Sequence, residues 1–591
     1  MTFAQQSGRE PVVVVEIDQD RCSRTYGVAP CAAALGVTGD QKCFNTIISC
    51  QDEDNYALGS PTTLRFVTPN EAHGLSRSLV LIPSVMSVTT VPTRINLASG
   101  SPDASPLGER GTITIELRDH SYHDRLVDPY YSEREYDPMT QGTFWGKWLA
   151  RNPYHQGRNI RVKHGYVGQE IGDFTVRYYV IDRIDGPSGG VVTITAKDPL
   201  KLLDDDRVKA PAANFGTIAS DITEVSGSLS VGTGDGAEYA TSGYIRVGGE
   251  LMQFTRSGDV FTLVDRGLRG TVASTHAAGD LVQEVLVISG VRVDALLQTL
   301  MVDYASIDAS WVPSSDWDEE ADLWCSGFTL SAWITEPTGV GSLVSRICSE
   351  TGVYVWWDEE EQKVRFRATR PFYPARDVPA RELSSDRHIV ANSLRIEAQP
   401  AERITEVWIY YAMENPIGAE DDPSNFARRL ILVDDASEGQ FRYGDKRIKR
   451  IFCRFLDESN DATATVVGTR ILDRRHEVPT IITFRMDAKD GYVNTGDIVR
   501  ITHPDIADIY GAPLPTYVHI TASDPVDPGH VVEYEARPYI TRTRYCFIMD
   551  DSSSPGPPDY GAANETQREQ GGWIAASALG FSNGDLPYKV L

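Results

Sequence analysis

Four of the eight cysteines, Cys22, Cys31, Cys43 and Cys50, fall within one short segment that also holds Gly27, Pro30, Gly36, Gly39 and Asn45. Turn residues at that density predict loops, and such a segment buries too little apolar surface to hold itself together. Something other than a core must hold it. The spacing C-x8-C-x11-C-x6-C supplies the ligand count for a four-thiolate zinc site or for an iron–sulfur cluster. Structural zinc sites usually take two thiolates from one tight knuckle, and no C-x2–4-C pair exists here, so the wide spacing suits loops around a bulkier cluster better. Two disulfides, or four unligated thiols, are the remaining readings. Disulfides require an oxidising compartment, and the first twenty residues show no basic flank followed by an apolar core. The chain is therefore expected to fold in the cytoplasm. Cys325, Cys348, Cys453 and Cys546 stand beside apolar or aromatic neighbours and read as buried thiols acting as small hydrophobes.

A chain of 591 residues exceeds what one core serves. At roughly 100–200 residues per domain it should form about three to five. Hydrophobic residues at 41% and charged residues at 24% fall within the range of soluble globular chains, which excludes wholesale disorder and fibrous repeats. The formal charge of −27 repels a phosphate backbone, which argues against sequence-reading of DNA. An acidic wall does suit a protein that DNA must pass without adhering, although the same charge also serves solubility. No stretch approaches the ~18 uncharged apolar residues of a membrane helix, so no membrane insertion by this chain is expected.

Periodicity predicts mainly β structure with α+β parts. The run Val12–Ile17 reads as a buried strand, and Thr112–Arg118 alternates strictly, with Ile113, Ile115 and Leu117 on its apolar face. Strands at 176–184 and 191–196 flank a turn-rich connection, and Phe144, Trp145, Trp148 and Leu149 mark one face of a helix. Together these fit a β-barrel carrying a helix. Residues 213–286, rich in Gly, Ser and Thr, read as a small inserted β-module. A helix over 293–302, a second near 343–351 that ends at Gly352, and strands at 353–357 and 363–368 predict an α+β unit. Beyond residue 390 strands return at 481–486, 497–502 and 531–536, with a helix over 463–475. The domains expected are 1–95, an N-terminal β segment with the cysteine cluster; 96–212, the β-barrel; 213–286, the module; 287–390, the α+β domain; 391–545, a second β-domain; and 546–591, a linker and tail.

Other constellations carry weaker chemistry. His120, His123 and Asp124 offer metal-ligand types without a third ligand placed by motif, and a solvated loop is the blander reading. Asp316, Asp318, Glu319, Glu320 and Asp322 lack the glycine of a calcium loop. Gly232–Gly236 lacks the Lys-Ser/Thr of a phosphate loop and reads as a turn. No Gly-x-Ser-x-Gly elbow or His-Glu-x-x-His helix announces a hydrolase. Tyr244, Phe254 and Phe261 either bind glycan or fill the core of the module, the latter being the favoured reading.

The runs Cys22–Cys31, Lys42–Thr46 and Ser49–Asp52 resemble the N-terminal segment of tail-tip hub proteins from long non-contractile phage tails and gene transfer agents. Ile334–Val340, Trp356–Glu360 and Asn494–Arg500 are similar to further parts of that family, so the resemblance spans most of residues 10–540. It implies tail-tube-like β-barrel hub domains in a homotrimer that continues the tail tube as a pseudo-sixfold ring and narrows to the tip. It also implies a [4Fe–4S] cluster on Cys22, Cys31, Cys43 and Cys50, with zinc or no metal as the alternative. Implied partners are a distal tail or tail tube protein, the tape measure protein, a central tip fibre and passing DNA bound without sequence specificity. The expected place is the virion tail tip after assembly in the host cytoplasm, and the expected role is structural, closing the lumen and opening on host binding, with no enzymatic activity. A tail-associated cell-wall hydrolase and a glycan-binding host-recognition protein are the rival readings.

Overall fold

The computed structural model describes residues 3–539 except 7, 98–106, 205, 371–380, 440–441 and 492, together with the backbone of 545–546 and 589–590. The tail expected over 546–591, and the side chain of Cys546, lie outside the described residues.

The first sheet is built from β1 (Pro11–Gln19), β2 (Thr62–Val67), β3 (Ile82–Pro83), β4 (Val85–Val91), β5 (Thr112–Arg118), β6 (Asn159–Tyr166), β7 (Thr175–Ser188) and β8 (Val191–Lys197), with helix α1 (Phe144–Arg151) between β5 and β6. Its eight strands run in the order β3-β2-β1-β6-β7-β8-β5-β4. The strands at the two ends of this order, β3 and β4, are separated by Ser84 alone, so one run of chain pairs with β2 at its start and with β5 along its length and joins the two ends of the sheet. Period-2 alternation sends Ile113, Ile115 and Leu117 to one face beside Val192, Ile194 and Ala196, all fully buried. The aromatic face of α1 closes that core, with Trp145 stacked on Phe66 at 5.5 Å between ring centres. Burial of each such side chain contributes about 1.5–3 kcal/mol. Thr143 starts the helix by accepting a hydrogen bond from Gly146 N at 3.3 Å. The cysteine segment is the connection between β1 and β2, and β1 pairs with both β2 and β6. The boundary expected at 95/96 therefore falls inside one sheet.

After β9 (Lys209–Ala210) come β10 (Ser228–Ser230), β11 (Ser242–Val247), β12 (Glu250–Ser257), β13 (Val260–Arg266) and β14 (Val282–Glu284), a five-stranded sheet with its own core around Ile245, Phe254 and Phe261. The chain continues through β15 (Leu286–Arg292), α2 (Val293–Thr299), α3 (Ser314–Trp324), β16 (Thr329–Ile334), β17 (Thr338–Gly339), α4 (Val340–Thr351), β18 (Val353–Asp358) and β19 (Lys363–Ala368). As expected, Gly352 ends α4 in the left-handed conformation, at φ +67°. Next stand β20 (Arg381–Ser384), β21 (Arg395–Ala398), β22 (Glu406–Met413), β23 (Phe426–Val433), the short α5 (Asp435–Glu438), β24 (Ile448–Phe452) and α6 (Asp461–Arg475). Val407, Ile409, Phe455, Val467 and Ile471 share one core with Leu297, Leu343 and Val353. Residues 406–475 thus complete the α+β unit rather than the second β-domain.

That second domain is a six-stranded sheet completed by β25 (Thr480–Asp487), β26 (Ile498–Thr502), β27 (Thr516–Asp527) and β28 (Val531–Pro538), in the order β20-β26-β27-β28-β25-β21. Five of its strands repeat the first sheet. The antiparallel run β26-β27-β28-β25-β21 has the order and chain directions of β6-β7-β8-β5-β4. Even the irregularities coincide. In β7 the register against β8 shifts between Ile181 and Arg183 and again between Asp185 and Ser188, and in β27 against β28 it shifts between Ile520 and Ala522 and between Asp524 and Asp527. The strands that follow carry matching residues, Val191-Val-Thr-Ile-Thr-Ala196 and Val531-Val-Glu-Tyr-Glu-Ala536. Bulges re-aim a strand at fixed positions, so two shifts at equal spacing indicate one module used twice.

Candidate cofactor site

Between residues 21 and 60 only Ala33 and Thr46 are buried. The segment is instead clamped to the sheet from outside. Arg134 donates to the carbonyls of Lys42 (2.8 Å) and Cys43 (3.0 Å) while pairing at 2.5 Å with Asp128, whose side chain is 1% exposed. Phe44 lies between the guanidinium groups of Arg134 and Arg151, at 4.1 and 3.8 Å from its ring centre. Tyr26 N donates to the Tyr130 hydroxyl at 2.9 Å, and Arg21 donates to the Leu126 carbonyl. Each anchor reaches the stretch between β5 and β6, which explains why that stretch is long.

Cys22, Cys31, Cys43 and Cys50 are half-buried and free, and they line one pocket together with Tyr26, Asn45, Asn55 and Tyr56. The pocket is small, with a cavity volume of about 20 Å³. Three of the four sulfurs meet a backbone N–H two residues downstream: Arg24 N donates to Cys22 Sγ at 3.4 Å, Asn45 to Cys43 and Asp52 to Cys50. Burial pushes the Cys43 and Cys50 thiols up, and the other cysteines' charges add to that, whereas these two backbone hydrogen bonds work in the opposite sense. Backbone donors aimed at sulfur favour the thiolate, the form in which cysteine binds metal. By residue type alone the donor set suits a sulfur-ligated group. Among the described residues no three His, Cys, Asp or Glu side chains converge as ligands of a metal ion.

The other sequence candidates have structural partners. His120 stacks on Phe144 and His123 on Tyr122, while Asp124 is held by Lys147 (2.7 Å) and Arg151 (2.9 Å). The acidic group near 320 lies on α3 and serves arginines: Asp318 and Asp322 join Asp294 around Arg292, Asp316 pairs with Arg365, and Glu320 with Arg370. Gly234 and Gly236 each donate a backbone N–H at 3.0 Å to Asp259, so the glycine cluster holds a carboxylate of its own chain. Phe254 and Phe261 fill the core of the module, whereas Tyr244 packs on Trp333 at 4.4 Å. Cys325, Cys348 and Cys453 are buried thiols, as expected.

Two of the motifs that carry the resemblance meet in space. Gly496 adopts φ +97° against the indole of Trp356, and Asn494 donates to Glu360 at 3.1 Å. Beside them Glu359 accepts from Tyr179 (3.1 Å) and Thr93 (3.2 Å) and pairs with Arg177 (3.4 Å). This half-buried junction, which periodicity does not reveal, locks the first sheet to the α+β unit. Asp198 lies at the exit from β8, 1% exposed, and accepts from Gly111 N at 3.0 Å.

No helix among the described residues is long and apolar enough to cross a membrane. No family model matches the chain, and no curated protein does. Solved structures do. The tail protein from Neisseria meningitidis MC58 is 10% identical, covering 77% of this chain and 93% of its own at a TM-score of 0.37. The 43 kDa tail protein of prophage MuSo2 from Shewanella oneidensis is also 10% identical, covering 76% and 92% at 0.34. A chain from the virion of a native gene transfer agent particle is 12% identical, covering 57% and 91% at 0.26. The likeness of this chain to solved structures thus runs to phage tail proteins and to a gene transfer agent virion.

Proposed function

We propose that this chain is the structural baseplate hub of a tail tip, three copies of which surround the lumen, join the tube or distal tail protein above to a fibre below, and open for DNA on host binding. The duplicated five-strand module carries this reading. Two copies of one module per chain let three chains present six near-equivalent units, which matches a sixfold tube while leaving a threefold tip. Closed rotational symmetry is the usual state of homo-oligomers. The acidic balance of the chain suits a lumen that DNA crosses without adhering. Opening would draw on contacts that differ between closed and open rings rather than on bond chemistry.

Within that hub, Cys22, Cys31, Cys43 and Cys50 hold a [4Fe–4S] cluster. The free thiols sharing one pocket, their downstream N–H donors and the near absence of buried side chains in the segment support this assignment. The bound group supplies a covalent cross-link among loops that lack a core, so its binding free energy becomes local folding free energy. The residues' own part is positional: Arg134 and Phe44 fix the segment to the sheet, and the backbone donors favour thiolates.

The test is anaerobic purification of the full chain, with light scattering for mass and iron, sulfide and zinc analysis, beside a variant with all four cysteines changed to serine. A trimeric wild type with iron and acid-labile sulfide, both lost in the variant, is the expected result. Zinc alone, or thiols oxidised in pairs, would overturn the cluster. A monomer at every concentration would overturn the hub.

A further inference from the structure

Helix α6 ends in Arg474 and Arg475, and both line a cavity of about 350 Å³ together with Arg537 of β28. Basic residues are ordinary at a helix C-terminus, where they can reach the last free carbonyls. That accounts for neither the number nor the depth of these. Glu402 accepts from Arg537 at two points, 2.8 and 3.1 Å, and its charge also acts on Arg474 and Arg475. Asp473 and Glu477 line the same cavity, yet neither is among the charges that chiefly shift Arg474 or Arg475. By charge, Glu402 faces three guanidinium groups.

Arg474 is the one left over. Among the described residues it makes no hydrogen bond and no ion pair, although burial pushes its pKa below the ordinary arginine range and Arg537 adds to that. Arg475, 2% exposed, is pushed down to about 10 by burial, with Arg474 and Arg537 acting in the same sense. Farther in, burial and then Arg475 push Lys449 down to about 7, while burial, Arg367 and Arg474 hold the fully buried His519 well below the usual histidine range. In a chain of net charge −27 this corner gathers positive charge. A cation withdrawn from water is normally paired, because desolvation costs more than an isolated charge recovers.

We infer that this cavity is a binding site for a small oxyanion of the phosphate class, gripped by Arg474 with Arg475 and Arg537 beside it. Guanidinium forks match phosphate oxygens two at a time. The volume stands at the low end for small-ligand sites, so the occupant is free phosphate or a phosphate carried on a small organic group. The ion lies across a seam: α6 packs into the core of the α+β unit through Val467 and Ile471, whereas β28 belongs to the second six-stranded sheet. Its charge offsets the repulsion between Arg474 and Arg537, so binding fastens one unit to the other. The site is independent of the tail-tip reading and of the cysteine pocket.

The experiment titrates the full chain at pH 7 and constant ionic strength with inorganic phosphate and with glycerol phosphate, beside Arg474→Gln, by calorimetry and native-state hydrogen exchange. Calorimetry should give one site per chain with a dissociation constant of about 1 mM or below, weakened about tenfold or more in the variant. At ten times the dissociation constant, phosphate should slow exchange at the end of α6 and in β28 about tenfold in the wild type and leave the variant unchanged. Without ligand the variant should exchange no faster than the wild type, since it removes a repelled charge rather than a partner. Equal or weaker binding of glycerol phosphate assigns the site to the free ion, and tighter binding assigns it to a phosphorylated small molecule. No saturable heat, or equal binding by wild type and variant, would overturn the site. So would faster exchange in the unliganded variant, because Arg474 would then be held by its own chain.

Discussion

Replacing Gly496 by alanine tests the junction between the second module and the α+β unit. A Cβ at this position would stand 2.5 Å from Trp356 Cζ2 and 2.8 Å from Cε2, and the backbone at φ +97° lies where side chains are rarely tolerated. Neither neighbour yields easily. Trp356 is 5% exposed, Gly496 N donates to Ile520 at 2.9 Å, and the Gly496 carbonyl accepts from Arg367 (3.1 Å) and His519 (2.9 Å). Left-handed backbone strain costs about 1–2 kcal/mol and overpacking about 1–3, so Gly496→Ala should cost about 2–5 kcal/mol. Because a chain of several domains unfolds in more than one step, the assay is native-state hydrogen exchange of β26–β28 amides, which reads local opening. Trp356→Ala removes the obstacle. In that background the glycine substitution should cost only its strain component, about 1–2 kcal/mol. Equal costs in the two backgrounds would refute the argument from close packing, and a cost below about 0.5 kcal/mol in the wild type would refute both components.

Burial pushes the Asp198 carboxyl up to about 6, against about 3.9 for an unperturbed aspartate. The native state therefore binds this proton more tightly, and the associated stabilisation, about 3 kcal/mol, is complete below about pH 4 and lost as pH rises through about 6. Asp198→Asn should flatten that window in the difference between wild-type and variant stability curves, and identical curve shapes would contradict the assignment. Arg134→Ala strands Asp128 in a buried position and should cost about 3–5 kcal/mol locally, so trypsin should cut after Lys42 much faster than in the wild type; unchanged cleavage would show that Arg134 does not clamp the segment. Thr143→Ala removes the cap of α1 and should cost about 1 kcal/mol, read as lost exchange protection in its first turn.

Elements whose pattern is local were legible in the sequence. Ile113, Ile115 and Leu117 alternate because a half-buried strand requires it, and the helix ending at Gly352 was visible because a left-handed terminus favours glycine. Pairing over long distances was not. β1 meets β6 across more than a hundred residues, and β22 joins a core begun near residue 200, so boundaries placed by composition cut through single units. A second hub β-domain was expected from the resemblance, but its strand-by-strand match to the first was not legible, because the two sheets share bulge position and burial rather than residue identity, leaving Val-Val-x-x-x-Ala as an obvious trace. At the candidate site all four cysteines were evident, since their residue type and clustering are local facts. Their anchors were not, because nothing in the sequence around Arg134 or Arg151 shows that Phe44 lies between them.

The position of the cysteine segment follows from the duplication. The five common strands end at β6 in the first module and at β26 in the second, and beyond that edge the modules diverge. The first adds β1, antiparallel to β6, and the second adds β20, parallel to β26. The cysteine segment hangs from β1, on the part that has no counterpart. Such a segment cannot borrow a core from the repeated sheet, because that core is already closed by α1. Its length adds little to the cost of closing the connection, since loop entropy grows only with the logarithm of length. What it lacks is buried surface, and the clamps at its rim order it from outside.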